Sequence, residues 1–196
     1  MRLTRSFYTQ PTRQLAPALL GCRLVRHWQG QRLSGIIVET EAYIGETDLA
    51  CHARAGRTAR TAVMYGPPGT AYVYFTYGIH WMLNVVSEAR HFPAAVLIRA
   101  LEPQEGLDVM LQLRPVTHPL ELCRGPAKLT QALRIDRALN GVDLCNRRGE
   151  LWIEAGSSVS SRFVGRGPRV GLGNTPEPWK SKPWRYWVKD SRFVSR

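Results

Sequence analysis

The sequence predicts an α+β fold: a single compact domain built on a curved, mainly antiparallel β-sheet, with surrounding helices and one protruding β-hairpin. Two observations predict it. Strand-like runs occupy both ends of the chain with helix-like periodicity between them, and glycine or proline turns separate short segments throughout. With 196 residues, 44% of them hydrophobic, the chain can bury one substantial core but is short for two. One domain over residues 1–196 is therefore expected.

Pro11 to Leu20 reads as an opening helix stopped by Gly21. A strand from Arg23 to Trp28 follows, and Gln29-Gly30 turns it back into a longer strand, Leu33 to Tyr43. Leu49 to Pro68 lacks periodicity and reads as a loop with one short helical turn, ending in the turn Gly66-Pro67-Pro68-Gly69. Ala71 to Phe75 and His80 to Val86 are β-prone runs flanking Thr76-Tyr77-Gly78-Ile79, a second hairpin with an aromatic near its tip. Ala94 to Leu101 fits a buried strand. Apolar residues three and four apart predict helices over Gln104 to Leu113 and Pro126 to Ile135, the second opened by Gly125-Pro126. Short strands are expected at Leu151 to Ala155, Pro168 to Leu172 and Trp184 to Val188.

Composition narrows the partners. No apolar run is long enough to span a bilayer and no secretory segment follows Met1, so a soluble, cytoplasmic, bacterial-type intracellular protein without membrane contact is expected. Cys22, Cys51, Cys123 and Cys145 have no paired spacing and read as reduced interior thiols, and no metal site is expected. A net charge of +12 makes nucleic acid the obvious partner. Only four of the 27 basic residues are lysine, and the arginine fork suits phosphate. Coding bias toward arginine accounts for part of that excess, and charge alone assigns no chemistry.

The densest candidate for chemistry is Glu39-Thr40-Glu41-Ala42-Tyr43. In a regular strand Glu39, Glu41 and Tyr43 share one face while Val38, Thr40 and Ala42 share the other. Taken alone, these five residues fit a solvated strand face equally well. His52, Tyr74, Tyr77, Asn84 and Arg99 follow within sixty residues and supply aromatic faces, an amide and a cation. An enzyme that works on an extruded base needs that set, because stacking at about 1–3 kcal/mol per base offsets the few kcal/mol of unstacking. Tyr72 shares a face with Tyr74 and reads as a tyrosine covering the core.

The segments Ile37-Val38-Glu39-Thr40-Glu41-Ala42-Tyr43, His52-Ala53-Arg54, Pro68 to Gly78, Asn84, Ile98 to Pro103 and Arg124 to Leu129 together resemble the alkyladenine, or 3-methyladenine, DNA glycosylase family. Arg169-Val170-Gly171 and Lys182 to Val188 extend the resemblance, which runs from about Phe7 to the C-terminus. It implies a monofunctional glycosylase of base excision repair that needs no cofactor and acts as a monomer on double-stranded DNA containing damaged purines. By resemblance Glu41 deprotonates the attacking water, which Arg99 and the Val170 carbonyl help to hold. Tyr43, His52, Tyr74 and Asn84 form the base pocket, Tyr77 and Ile79 enter the duplex, and Arg124 and Lys128 meet the DNA backbone. The same carboxylate is what hydrolysis through an oxocarbenium-like sugar requires, and Arg99 nearby should keep it ionised. Glu39 is expected to be structural, paired with an arginine. Two other readings remain open on the residues: a magnesium nuclease using Glu39, Glu41 and Asp48, and a noncatalytic nucleic-acid-binding module.

Overall fold

The computed structural model describes residues 1–195. Its eight strands are β1 (Arg23–Trp28), β2 (Gln31–Ile44), β3 (Ala71–Thr76), β4 (His80–Val86), β5 (Ala94–Glu105), β6 (Leu151–Glu154), β7 (Val164–Gly167) and β8 (Arg185–Val188). They form one antiparallel sheet in the order β3-β4-β5-β2-β1-β6, with β8 paired to both β2 and β7. The fold is α+β, as the sequence predicts.

Helices α1 (Arg5–Tyr8), α2 (Thr12–Ala18), α3 (Leu107–Leu113) and α4 (Pro126–Ala132) contribute to the main core. Leu15, Met110 and Leu129 from the helices meet Ile37, Ala42, Val73, Leu83 and Ile98 from the sheet. Burying each leucine or isoleucine contributes about 1.5–3 kcal/mol, and this is what holds the helices in place. A second, smaller cluster contains Cys51, Ala53, Met64, Tyr65, Tyr72, Val86 and Ala95, with Tyr43 and Tyr74 packed against it. Its wall is the segment after β2, which folds into two 3-10 turns, His52–Ala55 and Ala62–Tyr65, rather than the one expected.

The long strands do not alternate without interruption. Ile37 pairs with Leu101, Glu39 with Ala100 and Thr40 with Ile98, so Val38 on β2 and Arg99 on β5 are each an extra residue. Ile37, Ala42, Ile98 and Leu101 therefore all reach the main core, although strict alternation would separate them. Past the irregularity Glu39, Glu41 and Tyr43 share the opposite face, as expected, and Arg99 is aimed at them. A bulge re-aims a side chain in this way.

Other departures have local causes. β5 runs on to Glu105, because its carboxylate is held by Arg23 and Arg32, and α3 starts only after Gly106. Gly106 has φ of 76°, and a Cβ there would lie 2.4 Å from Leu33 Cδ2. α4 stops at Ala132, short of Ile135, as Arg134 turns into the left-handed region at φ 50°. The final part of the sheet is β7 at Val164–Gly167, not Pro168 to Leu172. Gly165 there lies against the Trp187 indole, where a Cβ would come within 2.3 Å of the ring. Pro168 to Leu172 is instead a loop whose backbone turns toward β2. Cys22, Cys51 and Cys123 are buried free thiols as expected, whereas Cys145 is only half-buried.

Candidate active site

On the face of the sheet turned away from the main core lies a cavity of about 300 Å³. Tyr43 from β2, Tyr72 and Tyr74 from β3, Asn84 from β4 and Arg99 from β5 line it, with His52 from the first 3-10 turn and Val170 from the loop after β7. That is the low end of small-ligand pockets, and four tyrosines and a histidine among apolar side chains, with a few convergent polar groups, suit a flat heterocycle. The Tyr72 and Tyr74 rings stand 5.3 Å apart with a 32° tilt, and His52 meets Tyr74 edge-on at 4.4 Å. Asn84 donates its amide N–H to the Tyr72 carbonyl at 3.2 Å, which fixes its orientation.

Glu41 sits just behind this wall, fully buried. Its Oε1 accepts the Val170 backbone N–H at 2.6 Å and faces the Arg99 guanidinium at 3.3 Å, and its Oε2 accepts the Tyr43 hydroxyl at 2.9 Å. A carboxylate offers about four lone-pair directions; the two hydrogen bonds fill one on each oxygen and the Arg99 guanidinium stands against Oε1, so Oε2 keeps a direction that no donor faces. Burial pushes the Glu41 pKa up, against the lowering pull of Arg99, the Val170 amide and Tyr43. Arg99 does favour the ionised form, as expected, but burial outweighs it and the net shift is upward. A carboxylate tuned upward is a stronger base.

Glu39 is also fully buried and is bonded as expected of a structural residue. It accepts from Arg99 Nε at 3.1 Å, from Arg185 at 3.3 Å and from the Ser195 N–H at 2.7 Å. Asp48 is gripped by Arg169 through two bonds of 2.6 and 2.9 Å. These guanidiniums occupy the oxygens that a magnesium ion would need, so the donor set does not fit the nuclease reading.

His52 accepts or donates at Nδ1 with the Tyr72 hydroxyl, 3.1 Å away. Burial, followed by Arg60 and Arg54, lowers its pKa to about 4. The ring is thus neutral near pH 7 and has no proton to give a departing base. At the tip of the β3–β4 hairpin, Tyr77 and Gly78 have φ of 52° and 70°, the paired positive values of a turn that matches strand twist. Tyr77 is 78% exposed and Ile79 69%, so both project from the sheet. Arg124 and Lys128 stand beside the site, but both engage Glu121, and Arg124 also donates to the Val194 carbonyl at 2.9 Å.

With this geometry in hand, similarity to known proteins is decisive. The family described as methylpurine-DNA glycosylase matches residues 6–192. The chain belongs to that family. A relative from Methanocella arvoryzae is 49% identical over 99% of this chain and 96% of its own length. Relatives from Carboxydothermus hydrogenoformans and Myxococcus xanthus are 46% and 47% identical, covering 100% and 99% of this chain and 100% and 93% of theirs. All three carry the name "Putative 3-methyladenine DNA glycosylase". The glycosylase is therefore a DNA repair enzyme of base excision, a hydrolase acting on N-glycosidic bonds in DNA. Among its described residues no helix is long and apolar enough to cross a membrane.

The structure of the glycosylase gathers Glu41, Arg99, Val170, Tyr43, His52, Tyr74 and Asn84 around one cavity, with Tyr77 at its rim. Ile79, Arg124 and Lys128 lie outside that cavity. Val170 meets Glu41 through its amide N–H rather than its carbonyl. Tyr72 is buried in the smaller core cluster, as expected, and it also lines the cavity and hydrogen-bonds His52, a second role its residue type does not signal. Asp48 and Arg169 pair across 121 positions of sequence, a separation that leaves no local signal.

Proposed function

We propose that this glycosylase flips alkylated or deaminated purines out of duplex DNA and hydrolyses their N-glycosidic bond with water deprotonated by Glu41. The substrate class is 3-methyladenine, 7-methylguanine, hypoxanthine and ethenoadenine, the first suggested by the relatives' names. The observation that carries the reading is the buried Glu41 carboxylate, whose Oε2 keeps a lone pair that no donor faces, set directly behind a cavity lined by four tyrosines.

Departure of the purine leaves an oxocarbenium-like sugar. Ionised Glu41 stabilises that charge and takes the proton of the attacking water, leaving an abasic site and the free base. Arg99 and the backbone at Val170 hold the carboxylate and the water in line. Tyr43, His52 and Tyr74 stack on and hydrogen-bond the flipped base, and Asn84 disfavours a guanine amino group. Tyr77 and Ile79 fill the gap left in the duplex, while Arg124 and Lys128 exchange Glu121 for phosphates. A cationic alkylpurine leaves unaided. A neutral base needs a proton, and neutral His52 points to solvent as its source.

The decisive experiment is Glu41→Gln. It should bind lesion duplex as the parent does and release no hypoxanthine or 3-methyladenine in single-turnover assays. Excision at the parent rate would refute the mechanism.

A further inference from the structure

The mechanism above leaves a buried ion pair unused. Asp48 and Arg169 both have side chains with no exposed surface. Arg169 Nη1 donates to Asp48 Oδ2 and the Ala42 carbonyl, and its Nη2 donates to Asp48 Oδ1 and the Trp179 carbonyl. Four of its five N–H groups are thereby engaged. The guanidinium also lies 4.7 Å from the centroid of the Tyr43 ring and 4.9 Å from that of Trp184. Desolvating two charges is costly, and a fold that needed only stability would do as well with apolar side chains of the same volume. The position of the pair suggests what it does instead.

We infer that Asp48 and Arg169 are positioning residues for Glu41, fixing the loop that presents the Val170 amide and the ring of Tyr43 to the carboxylate. The reading rests on Glu41 being the base. Three contacts support it. Arg169 is the residue before Val170, so anchoring its side chain to Ala42 on β2 sets where the next N–H points, and that N–H meets Glu41 Oε1 at 2.6 Å. Arg169 packs on Tyr43, whose hydroxyl holds the other oxygen of Glu41. Asp48 accepts the Ile44 and Ala50 N–H groups at 3.2 and 3.1 Å, and so directs the chain leaving β2 toward the cavity wall at Cys51 and His52. One ion pair thus spans two separate segments that hold both oxygens of the same carboxylate. After Val170 the loop departs through Gly171 at φ 74°, so the backbone on that side supplies little stiffness of its own.

The test uses Arg169→Lys, which keeps a cation beside Asp48 but lacks the planar fork, and the double variant Asp48→Asn/Arg169→Gln, which removes both charges together. Parent enzyme and Glu41→Gln are assayed in parallel on hypoxanthine duplex. A loosened Glu41 should slow single-turnover excision by roughly 10- to 100-fold, with the dissociation constant for lesion duplex within about threefold of the parent. Losing the Val170 and Tyr43 bonds favours the protonated carboxyl, so the acid limb of the rate profile should move to higher pH, with Arg169→Lys intermediate. A merely structural pair would alter melting temperature without moving that limb. The inference fails if either folded variant keeps the parent rate and profile, or if the loss lies wholly in DNA binding. Should the double variant not fold, Arg169→Lys alone decides by the same criteria. If the parent itself releases no base, the glycosylase mechanism fails, which is a different result.

Discussion

Replacing Tyr77 by glycine should slow excision without weakening the fold. Tyr77 holds φ at 52° in the hairpin turn and is 78% exposed. A left-handed backbone costs a residue with a Cβ about 1–2 kcal/mol, which glycine would release. Glycine gives back about 0.5–1 kcal/mol through its larger chain entropy, and the exposed ring forfeits little burial. The balance is about 0–1.5 kcal/mol in favour of the variant, a rise in Tm of at most a few degrees for a chain of this size. The effect on DNA has the opposite sign. An aromatic ring that substitutes for a missing base contributes about 1–3 kcal/mol, so losing it should lower the extruded population about 5- to 150-fold. Single-turnover release of hypoxanthine from duplex reads this directly, alongside thermal melts. The deficit should shrink when the lesion sits in a mismatch, where extrusion costs less. A melting temperature several degrees lower, or excision at the parent rate, would refute the reasoning, since the strained tyrosine would then be holding the hairpin rather than serving DNA.

Four further outcomes follow from the site and core. Because burial raises the Glu41 pKa, excision should fall on the acid side with a midpoint above the usual carboxylate range, and a rate profile with an ordinary midpoint would contradict this. A raised folded-state pKa also means that the native protein binds this proton more tightly than the unfolded chain does. Its contribution to stability is then fully present in acid and lost as pH rises through the folded value, so Glu41→Gln should raise Tm at neutral pH and gain less in acid. His52, lowered to about 4 chiefly by burial, should keep the nitrogen shifts of a neutral imidazole across the neutral range in NMR titration. Leu15→Ala, at a fully buried position of α2, should cost about 2–5 kcal/mol in urea denaturation, and a loss below about 1 kcal/mol would place α2 outside the cooperative core.

How much of this molecule can be read from its sequence depends on the range of the interactions involved. β1 and β4 match their expected bounds because a turn residue closes each end and the signal is local. The strand expected at Pro168 to Leu172 is absent because its apolar residues do not face a sheet: Val170 is 42% exposed and spends its N–H on Glu41 instead of a neighbouring strand. Alternation places Glu39, Glu41 and Tyr43 on one face correctly, yet the bulge that brings Arg99 onto them is invisible, because an extra residue on each of two strands leaves the hydrophobic pattern nearly intact. The family resemblance supplied the site residues without that geometry. Long-range partners were hidden for a related reason. Nothing near Asp48 distinguishes it from a turn aspartate, and nothing near Arg169 distinguishes it from the many surface arginines of so basic a chain. Only the fold brings the two together, fully buried, and there the same residue types stop serving solubility or phosphate binding and instead tie the segment before Val170 to the end of β2. A strongly basic composition therefore misleads about individual arginines even where it is right about DNA: Arg99, Arg169 and Arg185 face the enzyme's own carboxylates, leaving phosphate contact to others.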